Sequence, residues 1–146
     1  MVVTTPMDCH IRQGTLEEKD RILSIQSQSL QKLSTGYDAK QIASLVSSQE
    51  HARDNSEILL VAAFEDRLLG FAAIDRFRPC ITGIFVVPKY ARQGIGTQLL
   101  SAIEQLAIER DDKRLEVMSS LSGVDFYYAN GYQYQRESGF YALGKV

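Results

Sequence analysis

The sequence predicts one α+β domain over residues 1–146, with a mixed, mostly antiparallel sheet flanked by helices and a parallel strand–helix–strand unit within it. Three observations lead there. Between residues 57 and 87 three apolar runs follow one another with only short polar breaks, the pattern of an antiparallel meander. Residues 81–118 read as strand, glycine loop, amphipathic helix and strand. That crossover makes its two strands parallel neighbours with a right-handed connection. Two alternating runs, 132–135 and 139–143, then form a closing hairpin.

Taken in order, residues 9–14 alternate well enough for a short strand. Thr15 stands three residues before Glu18 in the form of a capping box, so a helix should start near Leu16. Ile22, Leu23, Ile25, Leu30 and Leu33 give it an apolar face, weakened by a Gln/Ser-rich middle. Residues 34–36 break it, and Asp38 can cap a second helix that turns Ile42, Leu45 and Val46 inward. Residues 51–55 are a polar loop. Strands at 58–64 and 68–77 flank the turn at 65–67, and Arg78-Pro79 separates them from a third at 81–87. After Gly94, Leu99, Leu100, Ile103, Leu106 and Ala107 line one helix face, which ends at Asp111-Asp112. A strand at 115–118 and a short helix at 122–129 follow. Gly131 suits a left-handed position just past that helix.

A chain of 146 residues can bury a proper core as a single domain. Its apolar fraction of 45% and charged fraction of 23% are ordinary for a globular protein. The net charge of −2, with basic residues dispersed, supplies no concentrated positive field for nucleic acid or an anionic membrane. No apolar run approaches a spanning helix, and residues 1–6 lack the form of a signal peptide. Cys9 and Cys80 lie far apart without ligand-like neighbours, which favours buried thiols over a disulfide or a metal site. A cytoplasmic protein without metal, nucleic acid or membrane partners is expected. The closing hairpin offers an edge at which a second copy can pair as a homodimer.

The chemistry concentrates where an apolar strand enters a glycine loop and a helix. Such a junction leaves backbone amides pointing outward, and the helix dipole adds positive potential, so a phosphate can settle there. A Walker-type site needs Lys followed by Ser/Thr at the helix start, which Gly94-Ile95-Gly96-Thr97 lacks. A dinucleotide fingerprint needs a third glycine and a parallel sheet before it, and neither is present.

Residues 86–100, Val-Val-Pro-Lys-Tyr-Ala-Arg-Gln-Gly-Ile-Gly-Thr-Gln-Leu-Leu, resemble the acetyl-CoA-binding motif of the GNAT-type N-acetyltransferase superfamily. Residues 120–132, Ser-Leu-Ser-Gly-Val-Asp-Phe-Tyr-Tyr-Ala-Asn-Gly-Tyr, are similar to that family's second motif, at the expected distance. Departures are Ala91 where Gln or Arg is usual, Ser122 in place of Asn and Gly123 in place of Ala.

The resemblance implies a GNAT-like fold, acetyl-CoA as cosubstrate and a small-molecule or peptide amine as acceptor. It implies that the amides of Arg92, Gln93, Gly94, Ile95, Gly96 and Thr97 hold the pyrophosphate, with the Arg92 side chain adding charge and Thr97 a hydroxyl, while Ser122 can cap its helix or donate a hydrogen bond in the cofactor site. The main chain of Phe85, Val86 and Val87 would hold the pantetheine arm, and one amide there would polarise the thioester carbonyl. Tyr127 would be the general acid for the departing thiolate, since a tyrosine of pKa about 10 keeps its proton at neutral pH. A non-catalytic acyl-CoA-binding module is the alternative. Glu116, Asp75 and Asp125 are carboxylates near the motifs, but none stands out as a general base.

Overall fold

Seven strands form one sheet in the order β1-β2-β3-β4-β5-β7-β6. A computed structural model of the chain describes residues 9–33, 56–119, 124–136 and 141–145, with side chains at 9–29, 56–117, 124–133 and 144–145. β1 (His10–Gln13), β2 (Glu57–Phe64), β3 (Arg67–Asp75) and β4 (Cys80–Val86) are antiparallel neighbours. β5 (Leu115–Ser119) lies parallel to β4, and β7 (Tyr141–Lys145) is inserted antiparallel between β5 and β6 (Gln133–Arg136). Among the described residues the α-helices are α1 (Lys19–Leu33), α2 (Ile95–Glu109) and α3 (Val124–Ala129). The meander, the crossover and the closing hairpin are all present. The helix expected after Asp38 and the loop at 51–55 lie outside the described residues.

β3 is the centre, buried from Leu68 to Ile74 because both faces of the sheet are covered there. Its side chains alternate between two clusters. Ala72 and Ile74 meet Ile81, Leu99, Leu100 and Ile103 under α2, while Phe71 and Ala73 meet Val61, Ile22 and Ile25 under α1. α2 buries Ile95, Leu99, Leu100, Ile103 and Ala107. Each fully buried Leu or Ile among them contributes about 1.5–3 kcal/mol. α1 is different. Gln26 and Ser29 are buried beside Ile22 and Ile25, whereas Leu23, expected to face inward, is half-buried.

Two ends were incompletely legible in the residues. The capping box forms, with Thr15 N–H donating to the Glu18 carboxylate at 3.0 Å, but it opens a 3-10 turn at Leu16–Glu18 before α1 begins at Lys19. The helix starts late because Glu18 is pulled back, accepting two bonds from the Arg12 guanidinium at 2.9 and 2.7 Å. At the far end of α2, Arg110 binds the Asp112 carboxylate at 2.7 Å and donates to the carbonyls of Asp75, Arg76 and Arg78 at 2.9, 3.1 and 2.9 Å. One side chain thereby ties the helix end to the β3–β4 turn. That turn is also closed by Asp75, whose Oδ1 accepts the Phe77 and Arg78 amides, both at 2.8 Å.

The Arg12 bonds, helped by the Thr15 amide, hold the Glu18 carboxyl down from 4.5 to about 2. A depressed folded-state pKa stabilises the fold above the unfolded value and loses that contribution as pH falls through the folded one. Urea midpoints taken from pH 5 down to 2 should therefore fall for the native chain. In Glu18→Gln the same profile should be flatter and start lower.

Candidate active site

β4 and β5 pair at two positions, Cys80–Glu116 and Ile81–Val117, although β4 continues to Val86 and β5 to Ser119. Beyond Ile81 the strands part into a fork. β4 stays with β3 through Gly70–Val86, and Val87 donates its N–H to the Leu69 carbonyl at 2.8 Å. Main-chain groups of successive strand residues point to alternate edges. Phe85 therefore also turns toward β3, while Ile84 and Val86 turn their amides and carbonyls into the fork. Of the three backbone positions expected to hold an arm, only Val86 faces the gap. Ile84, which also faces the gap, was not among them; the period of two along the strand points to it only once a hydrogen bond such as Val87 to Leu69 sets the phase.

The end of β4 leads through a 3-10 turn (Pro88–Tyr90) into the glycine loop. Arg92 has φ 63° and Gly94, the residue capping α2, has φ 83°. A non-glycine residue in the left-handed region costs on the order of 1–3 kcal/mol, and such strain gathers at functional sites. The first α2 hydrogen bond runs from Gln98 N–H to Gly94 O at 3.0 Å. The amides of Ile95, Gly96 and Thr97 precede it, no side chain caps them, and no acidic residue occupies the first turn. Ile95 is in the core, so only its backbone can serve a ligand. Arg92 and Thr97 are exposed and Gln93 is half-buried at the loop surface. A helix end with its donors unspent in this way suits an anion.

Gly96 has a second purpose. A Cβ there would lie 3.2 Å from the Phe126 ring and 3.8 Å from Val86 Cγ2. The glycine lets α3 press an aromatic side chain onto the first turn of α2 and the end of β4, so the two sequence motifs meet in space. Next to Phe126, Tyr127 is 6% exposed, with ring centroids 5.2 Å from Phe126 and 5.5 Å from Tyr132. Tyr132 donates its hydroxyl to Glu104 at 3.2 Å and Tyr128 is exposed. No described residue hydrogen-bonds the Tyr127 hydroxyl. Burial, and then the charge of a Cys80 thiolate, push its pKa above the ordinary tyrosine value. Burial likewise pushes the Cys80 thiol up. Gly131 has the expected left-handed φ of 91°, and Tyr132 N–H closes onto Tyr127 O at 3.0 Å, which stops α3 there. Ser122 lies outside the described residues. Among the described residues no group of three or more His, Cys, Asp or Glu could hold a metal ion.

A family model described as Acetyltransferase (GNAT) domain matches residues 25–144. The chain belongs to this family. Among solved structures, the GCN5-related N-acetyltransferase (Aminotransferase, Class-II) of Rhodopseudomonas palustris shares 25% identity over 100% of this chain and 98% of its own, with a TM-score of 0.86. The PaiA N-acetyltransferase of Thermoplasma acidophilum, solved with coenzyme A, shares 19% over 95% and 99%, with a TM-score of 0.82. YncA of Salmonella typhimurium, solved with its cofactor acetyl-CoA, shares 12% over 95% and 94%, with a TM-score of 0.68. Comparison with curated protein sequences gave no match. The chain thus has the GNAT fold, built on a mixed sheet with one parallel pair.

The β3 side of the fork sets a testable constraint. A Cβ on Gly70 would meet the Phe85 carbonyl oxygen at 2.7 Å. Gly70→Ala must push β4 off β3 and should cost about 1–3 kcal/mol, as overpacking does. Urea denaturation of the variant would show it as a lowered midpoint.

Proposed function

We propose that the chain is an acetyl-CoA-dependent N-acetyltransferase that moves an acetyl group to a primary amine by direct attack in a ternary complex. The observation that carries this is the continuous run from the unpaired β4 edge at Ile84 and Val86 to the uncapped amides of Ile95, Gly96 and Thr97. Acetyl-CoA has the matching parts in the same order: a thioester, an amide-bearing arm and a pyrophosphate. The solved relatives that carry coenzyme A or acetyl-CoA support that choice. Acetyl-CoA supplies an activated acetyl carbon and a thiolate leaving group. Arg92 and the loop amides from Gln93 to Thr97 hold the phosphates, with the dipole adding about 0.3–1 kcal/mol and direct hydrogen bonds the rest. The Val86 and Ile84 amides pair with the arm as an added strand would, and one of them polarises the acetyl carbonyl.

Tyr127 donates a hydrogen bond to the departing sulfur. Its pKa is raised, and a thiolate of pKa about 8.5 is too weak a base to take its proton outright. Its contribution is therefore stabilisation of charge developing on sulfur. A half-buried Cys80 with a raised pKa stays a thiol and is a poor acyl carrier, which favours direct attack. Two free thiols suit a reducing, cytoplasmic setting.

Tyr127→Phe should lower kcat by up to about 10²-fold, the modest end of acid–base contributions, and leave acetyl-CoA affinity nearly unchanged. Free-thiol release and ligand-dependent melting read the two quantities. Because Tyr127 keeps its proton well past neutrality, the native rate should show no falling limb from it below pH 10. Acetyl-CoA at about 100 times its Kd should add about 2.7 kcal/mol of stability. Stabilisation by ATP but not by acetyl-CoA would sink the reading, and stabilisation with no thiol release across an amine panel would leave the binding module.

A further inference from the structure

Thr82 stands where the sheet divides. It is the first β4 residue beyond the two positions paired with β5. On the other side the register jumps from Ala73–Gly83 to Ile74–Ile81, so Thr82 is also the bulged residue against β3. Bulges re-aim side chains and recur beside active sites. The Thr82 hydroxyl donates a hydrogen bond to the carboxylate of Glu57, at the start of β2. Glu57 is buried, an unusual place for a carboxylate because desolvation opposes its charge. Among the described residues, charged groups placed beside it include Asp75, opposite it in register, and Arg76, whose guanidinium donates to the Glu57 main-chain carbonyl at 3.2 Å. Asp75 is itself kept ionised by the Phe77 and Arg78 amides and the Arg78 side chain.

We propose that the Thr82 hydroxyl meets the acceptor nitrogen and relays its proton to Glu57, so that the acceptor is a primary amine arriving as an ammonium ion. This rests on the N-acetyltransferase reading. An alkyl ammonium of pKa near 10 has no lone pair for attack at neutral pH. Its first proton passes to Thr82 Oγ as Thr82 passes its own to the Glu57 carboxylate. The freed lone pair forms the C–N bond to the acetyl carbon. The C–S bond then breaks with its electron pair going to sulfur under the Tyr127 hydrogen bond. The second nitrogen proton, acidic once nitrogen is bonded to carbon, neutralises that sulfur. Glu57 releases the first proton to water. Thr82 is the group that touches the acceptor, and Glu57 acts through it as a positioning residue.

The experiment is a pH–rate profile of thiol release from acetyl-CoA with n-butylamine, 1,4-diaminobutane and a tetrapeptide with a free N-terminus. Thr82→Val and Glu57→Gln should each lower kcat about 10²-fold near pH 7, the modest end of acid–base contributions. The deficit should shrink as pH approaches that of the free amine, where the acceptor arrives neutral. Thr82→Ser, which keeps the hydroxyl, should retain most of the rate. Acetyl-CoA-dependent melting should be unchanged in all three, which reports an intact fold and cofactor site. A merely structural role would lower the rate equally at every pH. Parallel profiles for Thr82→Val and the native chain would overturn the relay while leaving the N-acetyltransferase reading standing. A native chain that binds acetyl-CoA but acetylates none of the three amines would remove that reading and the relay with it.

Discussion

The candidate site depends on β4 leaving β5 after two paired residues. A strand edge whose amides and carbonyls face a gap needs partners, since buried main-chain groups left unpaired are costly. β4 is held to its course from the opposite side. Its ladder with β3 runs through Gly70–Val86, and the missing side chain at Gly70 lets the Phe85 carbonyl come close. The bulge at Thr82 starts the divergence, and further along both Phe126 of α3 and Val86 lie against Gly96. With a wall fixed on each side, the fork is a property of the packed core and not of a frayed strand end.

The two faces of the sheet divide the remaining tasks. Under α2 the core is almost wholly apolar, and it anchors Ile95 and Leu99 directly behind the glycine loop. Rigid packing there keeps the loop amides aimed without a ligand to organise them, and pre-aimed donors are what make electrostatic stabilisation effective. Under α1 the face is mixed, with Gln26 and Ser29 buried among the aliphatic side chains. A helix that buries amides and hydroxyls contributes less to the core, but it brings hydrogen-bonding groups to the sheet face where Gly83 and Phe85 lie. Arg110 serves a third purpose, fixing the β3–β4 turn from which β4 sets out.

Period and punctuation made most of the fold legible. The meander, the crossover, the end of α2 at Asp111-Asp112 and the left-handed Gly131 all follow from local pattern, because each depends on residues near one another in the chain. The late start of α1 did not, since it turns on Arg12 drawing Glu18 away from the expected helix, a contact between a strand and a cap. Nor did Arg110, whose partners lie more than thirty residues earlier. At the site, the glycine loop was visible but its two glycines looked alike. Gly94 has the positive φ, while Gly96 has Phe126 against it. Main-chain direction along β4 was computable from the sequence only once one hydrogen bond, Val87 to Leu69, had set the phase. Thr82 and Glu57 carried no local signal, because a bulge and a buried carboxylate are defined by strands twenty-five residues apart.

Burial sorts the charges at the fork in a way that bears on direction. Tyr127 and Cys80 are both held neutral, so in the proposed reaction a developing negative charge on sulfur meets a hydrogen-bond donor at Tyr127. At the bulge stands the Glu57 carboxylate, with Asp75 across from it in register. On the proposed relay, a cationic acceptor is drawn to that end and a negatively charged leaving group is not. Were the two environments exchanged, the carboxylates would oppose the very charge that must build on sulfur, and a neutral phenol could not relieve an ammonium of its proton. The asymmetry comes from where the strand bulges and where the aromatic helix packs, and it aligns the flow of charge along β4 from Thr82 toward the amides at the start of α2.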